Sequence, residues 1–197
     1  MRVTPLAVPE VLLVEPTVIG DARGFFMESF SVRRYADAGI PGRFVQDNVS
    51  RSRRGVLRGL HLQHPHAQGK LVSVLEGEVF DVAVDVRVDS PTFGRWVGEY
   101  LSAENHRQLY VPPGFAHGFV VTSDDALFTY KCTDYYRPEA EHSVRWDDPA
   151  VGIAWPGAGF TLSERDRHAR TLAEARVAGC LPSYAPVPSP HPSFARV

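Results

Sequence analysis

The sequence predicts a mainly β fold, a two-sheet sandwich or jelly roll with a few short helices, and two observations carry that prediction. Sixteen glycines and sixteen prolines cut the chain into short apolar runs, the pattern of many strands joined by turns. Within Val79–Val88, Phe80, Val82, Val84 and Val86 fall on one face, while Val79, Asp81, Ala83 and Asp85 fall on the other. That is the period of a strand, written in β-branched residues.

Taken in order, strands are expected at Val11–Val14, Gly24–Ser29, Arg43–Ser50, Gly55–Leu60, Lys70–Leu75, Val79–Val88, Gly94–Leu101, Gln108–Val111, Gly118–Thr122 and Leu127–Asp134. Lys70, Val72 and Val74 share a face, and Glu76-Gly77-Glu78 reads as a tight hairpin turn into Val79–Val88. Helical signals are short. Ser31–Ala38 has a serine at its N-cap and ends before Gly39, Ala103–His106 is one turn, Ser163–Asp166 opens behind another serine, and Thr171–Ala178 ends before Gly179. So many strands with so few helices favour a sandwich or jelly roll. Residues 1–180 are read as one domain. Residues 181–197 hold five prolines and are expected to form a flexible tail.

Composition narrows the function. The chain has 197 residues, a 44% hydrophobic fraction and a net charge of −2, so no global basic field draws nucleic acid. A bound anion must be held by local cations. Two cysteines, Cys132 and Cys180, are too few for a disulfide framework. The start lacks the apolar core of a signal peptide and no apolar run reaches membrane-spanning length. A soluble cytoplasmic protein with no membrane partner is expected.

The run Arg58–Lys70 gathers His61, His64, His66, an arginine and a lysine, which suits either a metal site or a cationic acid–base pocket. The spacing of His64, His66 and Gly77, with Pro113-Gly114 and His117 further on, matches the metal motif of the jelly-roll family called cupins. Lys70 stands where that motif needs a glutamate. An ammonium is a poor ligand and repels a divalent cation, and Pro65 favours a turn over an inward-facing strand. No metal is expected, and His64 reads as a solvent-facing loop residue.

The acid–base reading accounts for more. Removing a proton beside a carbonyl takes a base, a donor for the developing enolate, and an acid to return the proton. His61 can be the base, Lys70 can hold the enolate oxygen, and Tyr130 can be the acid. Asp166, Asp81 and Asp85 are candidates to fix the second nitrogen of the histidine. Asp81 shares a strand whose opposite face is wholly apolar, so its own face is expected to look into a polar cavity or water. Near the N-terminus, Arg23, Phe26 and Glu28 lie just before the amides Gln46 and Asn48. Cation, ring and amide together suit a nucleotide.

The ordered runs Asp21-x-Arg23-Gly24-Phe25-Phe26-x-Glu28, Gln46-Asp47-Asn48, Leu57–His61, Gln68–Val72, Pro113–Phe119, Tyr130-Lys131-Cys132 and Leu162–Asp166 resemble the dTDP-4-dehydrorhamnose 3,5-epimerase family. The resemblance runs from about residue 2 to 180. It implies a homodimeric, metal-independent, cupin-like jelly roll that needs no cofactor. The implied substrate is a thymidine-diphosphate-linked 4-keto-6-deoxyhexose, whose carbons 3 and 5 flank the keto group and exchange protons through an enolate. It implies His61 as base, Asp166 as its carboxylate partner, Tyr130 as acid on the far face of the sugar, and Lys70 near the keto oxygen. Arg23, Phe26, Glu28, Gln46, Asn48, Arg58, His117, Glu141 and Arg165 match substrate-contacting positions, with Arg165 standing where many members have lysine. His117 with Asp81 resembles a second, supporting His–Asp pair, and one or both of Tyr135 and Tyr136 are expected to stack on the base. A 3- or 5-epimerase of another deoxysugar route is the close alternative. A metal-dependent cupin enzyme and a non-catalytic sugar-nucleotide binder are the more distant ones.

Overall fold

The structure is a computed structural model and describes residues 1–185. In chain order its elements are β1 (Arg2–Pro5), β2 (Leu12–Glu15), β3 (Val18–Asp21), β4 (Gly24–Met27), α1 (Val32–Asp37), β5 (Gln46–Arg53), β6 (Leu57–Gln63), β7 (Lys70–Glu76), β8 (Glu78–Asp85), β9 (Trp96–Ser102), β10 (Gln108–Val111), β11 (Phe115–Val121), β12 (Asp125–Cys132), β13 (Glu141–Ser143), α2 (Glu164–Arg167) and α3 (Leu172–Val177). One sheet runs β1-β2-β10-β7-β12-β5 and faces a second running β13-β6-β11-β8-β9, while β3 and β4 form a separate hairpin. This is the jelly roll expected from the alternation and the turn residues, of the cupin-like kind that the resemblance implies.

One expected connection is absent. Glu76-Gly77-Glu78 does not join a hairpin, because β7 pairs with β10 and β12 while β8 pairs with β11 and β9 in the other sheet. Gly77 is instead the corner where the chain changes sheets. It has φ +74°, and a Cβ there would lie 1.9 Å from the Asp125 carbonyl oxygen, so only glycine fits. The expected turn at Ala103–His106 is a non-helical turn held by the Asn105 side chain against Ser102 and Tyr100. Three strands carried no signal in the sequence: β1, β3 and β13. Each is four residues or fewer, too short to display a period.

Three apolar clusters hold the layers. Val72, Val74, Val79, Leu101, Leu109, Phe119 and Phe128 fill the space between the sheets, with Phe119 and Phe128 stacked at 4.1 Å between centroids. Each such buried side chain contributes about 1.5–3 kcal/mol. Phe80, Val82 and Val84 turn the other way and pack under Leu172, Ala175 and Leu181 from the C-terminal segment. Tyr35 and Ile40 cover Leu71 and Tyr110 on the outside of the six-stranded sheet. Strand β8 is therefore buried on both faces, and Asp81 is wholly inaccessible rather than turned to water. Past residue 180 the chain is still tied down: the Val88 amide donates to the Pro182 carbonyl and the Tyr184 amide to the Val88 carbonyl, each at 2.8 Å. The rest of the proline-rich stretch lies outside the described residues.

The interior changes character along the strands. On β12, Phe128 is followed at the strand period by Tyr130 and Cys132. On β7, Val74 is followed by Val72 and Lys70, and on β5 Ser50 by Asn48 and Gln46. The register sets Asn48, Tyr130 and Val72 in one row, and Gln46, Cys132 and Lys70 in the next. One end of the jelly roll is thus apolar and the other polar.

Candidate active site

The polar end has two walls. On the five-stranded sheet, His61 of β6 pairs with His117 of β11 and with Ser143 of β13, and Gln63 pairs with Glu141. A register shift in β11 between His117 and Phe119 sets the two histidines, and two glycines make it possible. A Cβ on Gly118 would lie 2.7 Å from the Arg58 carbonyl oxygen and 3.0 Å from the Gly59 Cα, so the strands approach closely only without side chains there.

His61 Nε2 is 2.7 Å from Asp166 Oδ1. Asp166 sits on α2, whose N-terminus is capped by Ser163 Oγ accepting from the Asp166 amide at 3.1 Å. Burial pushes the Asp166 carboxyl up, but the His61 hydrogen bond and charge, with Ser163 and the Gly59 backbone, outweigh it and hold it below the usual range. With Nε2 engaged, Nδ1 is the nitrogen left to the interior. The second pair, His117 Nε2 with Asp81 Oδ1 and Oδ2, is at 2.9 Å and buried. Burial raises the Asp81 carboxyl above its ordinary value, against the opposing pull of His117 and Lys70.

Lys70 and Tyr130 face this wall from the six-stranded sheet. Burial lowers the Lys70 ammonium from its usual value, opposed by Cys132, Glu141 and Asp81. Glu141 and Asp81 belong to the opposite sheet, so the two walls meet at this lysine. Burial first, then Cys132 and Glu141, push the Tyr130 phenol up, against Arg58. It therefore holds its proton at neutral pH.

Around this centre the remaining expected residues divide in two. Gln46 Nε2 donates to Asn48 Oδ1 at 3.0 Å, and Gln46 Oε1 accepts from the Tyr136 amide at 2.8 Å. The Tyr136 hydroxyl donates to Glu141 Oε2 at 2.6 Å, and Arg165 pairs with the same oxygen. Burial raises Glu141, but those two hydrogen bonds and the Arg165 charge outweigh it and keep its carboxyl low. Arg58 is exposed and donates to Ser52 Oγ at 3.0 Å. Tyr136, not Tyr135, is joined to these side chains. Arg23, Phe26 and Glu28 stand apart. Among the described residues Arg23 pairs only with Asp21, Glu28 pairs with Arg34, and Phe26 is 70% exposed.

Of the cupin-motif histidines, His117 is buried in the interior but His64 and His66 are not. β6 ends at Gln63, so His64 and His66 follow the strand. His66 is exposed with φ +67°. His64 is half-buried rather than solvent-facing: its carbonyl lies 2.9 Å from His142 Nε2, and burial lowers its imidazole. Among the described residues, no three His, Cys, Asp or Glu side chains converge as metal ligands. The sequence reading also missed pocket residues. Cys132 follows Tyr130 at the strand period and was legible there, whereas Gln63 and Ser143 depend on β13, which left no signal.

Fold and site together define a class, a cupin-like jelly roll equipped for proton transfer. Comparison with known proteins makes it specific. The sequence profile of the family described as dTDP-4-dehydrorhamnose 3,5-epimerase matches residues 5–174. A Pseudomonas aeruginosa protein named dTDP-4-dehydrorhamnose 3,5-epimerase is 58% identical over 177 residues, covering 89% of this chain and 98% of its own. A Streptomyces niveus dTDP-4-dehydrorhamnose 3-epimerase is 44% identical over 199 residues, covering 98% and 96%. The crystal structure of a dTDP-6-deoxy-D-glucose-3,5-epimerase from Legionella pneumophila, in complex with dTDP-4-keto-L-rhamnose, superposes with a TM-score of 0.90. It is 55% identical and covers 94% of this chain and 99% of that one. The chain belongs to the dTDP-4-dehydrorhamnose 3,5-epimerase family.

Proposed function

We propose that this protein epimerises dTDP-4-dehydro-6-deoxy-D-glucose at C3 and C5 to give dTDP-4-dehydro-L-rhamnose. The observation that carries the reading is the His61–Asp166 pair at 2.7 Å, facing a lysine and a protonated tyrosine on the other wall. His61 Nδ1 takes the proton beside the keto group, and the electrons of the broken C–H bond move onto the keto oxygen. Lys70 stabilises that enolate. Tyr130 delivers a proton to the opposite face of the carbon, which inverts it. Asp166 holds the imidazole and balances the imidazolium, and His117 with Asp81 supports the floor of the pocket. Arg58 and Arg165 meet the diphosphate, while Gln46, Asn48, Glu141 and Tyr136 meet sugar and base. This set is built of protein groups alone and uses no metal or cofactor.

The same reading makes the enzyme a homodimer. The β3–β4 hairpin exposes Ile19, Phe25 and Phe26 at 64, 60 and 70%, and the outer face of the six-stranded sheet exposes Val49 at 65% and Leu75 at 50%. So much exposed apolar surface calls for a partner. A second copy covers it and receives Arg23, Phe26 and Glu28 into its own pocket, which explains why these residues stand apart from His61 within one chain. A cytoplasmic location belongs to this reading as well; both cysteines are free, and among the described residues no helix is long and apolar enough to cross a membrane.

The 44% identity to a 3-epimerase over nearly the whole chain makes single-site epimerisation the second reading. The test follows turnover by NMR. His61→Ala should abolish exchange at both carbons, since one base serves both. Tyr130→Phe should leave proton removal while inversion fails. Loss of a positioned acid or base costs about a hundredfold or more, so near-wild-type turnover in both variants would mean that the pocket is misassigned.

A further inference from the structure

We propose that Gln63 is a positioning residue for the nucleotide end of the pocket: it holds Tyr136 in place to stack on the nucleobase and ties that ring to the strand that carries His61. The proposal rests on the reading that Tyr136 meets the nucleobase. Gln63 is the last residue of β6, two after His61, and is buried. At the strand period the two side chains leave the same face. The Gln63 amide bonds to the backbone of two loops. Its Nε2 donates to the Tyr135 carbonyl at 3.1 Å and to the His66 carbonyl, and its Oε1 accepts from the Arg137 amide at 2.8 Å. Two carbonyls on one side and an N–H on the other fix which way the amide points. Tyr135 and Arg137 flank Tyr136, so the loop is gripped on both sides of that residue.

The tip of the ring is held from the same row of the sheet. Glu141 of β13 is the direct partner of Gln63, and directly opposed side chains share a face. Glu141 Oε2 accepts from the Tyr136 hydroxyl at 2.6 Å, and Gln46 Oε1 accepts from the Tyr136 amide at 2.8 Å. Backbone and hydroxyl are thus fixed, while the residue stays exposed. A ring tied at both ends and left uncovered is preorganised for a flat ligand, because its freedom is lost before binding. Without the Gln63 amide, three backbone groups lose their partner and the loop is released. A released loop must be ordered again when the nucleotide binds, so the loss falls on affinity. Proton transfer is spared, because His61, Asp166, Lys70 and Tyr130 make none of these bonds.

Three substitutions test this against a merely structural role. Gln63→Met keeps the length of the side chain and removes all three bonds. The Kd of thymidine diphosphate should rise about tenfold or more in calorimetry, and KM with it, while the pH profile of kcat stays in place. Pyrophosphate has no base to stack, and should inhibit this variant as it inhibits the wild type. Gln63→Glu keeps only the bond to the Arg137 amide. It should weaken thymidine diphosphate in the same direction, and it carries the test if the methionine variant does not fold. Tyr136→Ala should also weaken thymidine diphosphate about tenfold, and Gln63→Met added to it should cause little further loss, because the ring it positions is gone. Losses that multiply in the double variant, a loss confined to kcat, or pyrophosphate weakened as much as thymidine diphosphate would overturn the proposal. If Tyr136→Ala weakens thymidine diphosphate while both Gln63 variants bind it fully, only the role of Gln63 is lost; if Tyr136→Ala binds it as the wild type does, the stacking reading itself fails.

Discussion

Replacing Asp166 with asparagine keeps the size of the side chain and removes its charge. The carboxylate is buried and lies 2.7 Å from His61 Nε2. An amide in its place can present either a carbonyl or an NH2 group to the ring, and the NH2 group enforces the wrong tautomer. A hydrogen bond to a charged group is worth about 1.5–3 kcal/mol, and this one strengthens when the imidazole becomes an imidazolium. That range converts to a loss of about 10- to 150-fold in kcat. KM should hold, because Arg58 and Arg165, the side chains proposed to meet the diphosphate, are untouched. The α2 cap should hold too, because Ser163 accepts from the Asp166 backbone amide. The folded-state carboxyl is held below its ordinary value, so its stabilising effect is full above the unfolded pKa of about 3.9 and is lost as pH falls through the lower, folded value. The variant should therefore be less stable than the wild type at neutral pH, and the gap should close in acid. Steady-state kinetics and melting curves from pH 7 down to about 3 measure both effects. An Asp166→Asn enzyme with wild-type kcat would refute the dyad.

Lys70→Met should lower kcat far more than it raises KM, because the ammonium matters most when the keto oxygen carries charge; a change confined to KM would make Lys70 a binding residue. Arg23→Ala should weaken thymidine diphosphate by about 1.5–3 kcal/mol in calorimetry, and unchanged affinity would remove this residue and the shared pocket. Gly118→Ala places a methyl 2.7 Å from the Arg58 carbonyl oxygen, which should cost about 1–3 kcal/mol of stability and reduce turnover by parting His61 from His117. Wild-type melting and kcat in that variant would show that the close strand contact is unimportant.

Much of this was legible in the sequence, and what was not has physical causes. Alternation marked Val79–Val88 as a strand, but not that both its faces are buried, since the second core under Phe80 and Val82 is supplied by residues near 172–181. Gly77 announced a turn, yet a hairpin and a sheet-to-sheet corner use the same residue, and only the pairing of β7 with β10 and β12 separates them. His61, Lys70 and Tyr130 could be chosen by chemistry. Asp166, Asp81 and Asp85 could not be ranked that way, because the choice depends on α2 folding back over β6. Asp85 instead pairs with Arg87 at 2.8 Å, and Asp81 serves His117. Ser143 was invisible, because a three-residue edge strand has no period to read.

Solvent deuterium incorporation tests the central claim most directly. The wild-type enzyme is incubated in deuterium oxide with dTDP-4-keto-6-deoxyglucose, and the label is located by NMR. If His61 and Tyr130 work as a base and an acid on opposite faces of one sugar, deuterium enters at both C3 and C5, with both centres inverted in the product. Label at C3 alone would contradict the double epimerisation and leave a 3-epimerase. Inversion without label at either carbon would contradict proton exchange through an enolate altogether.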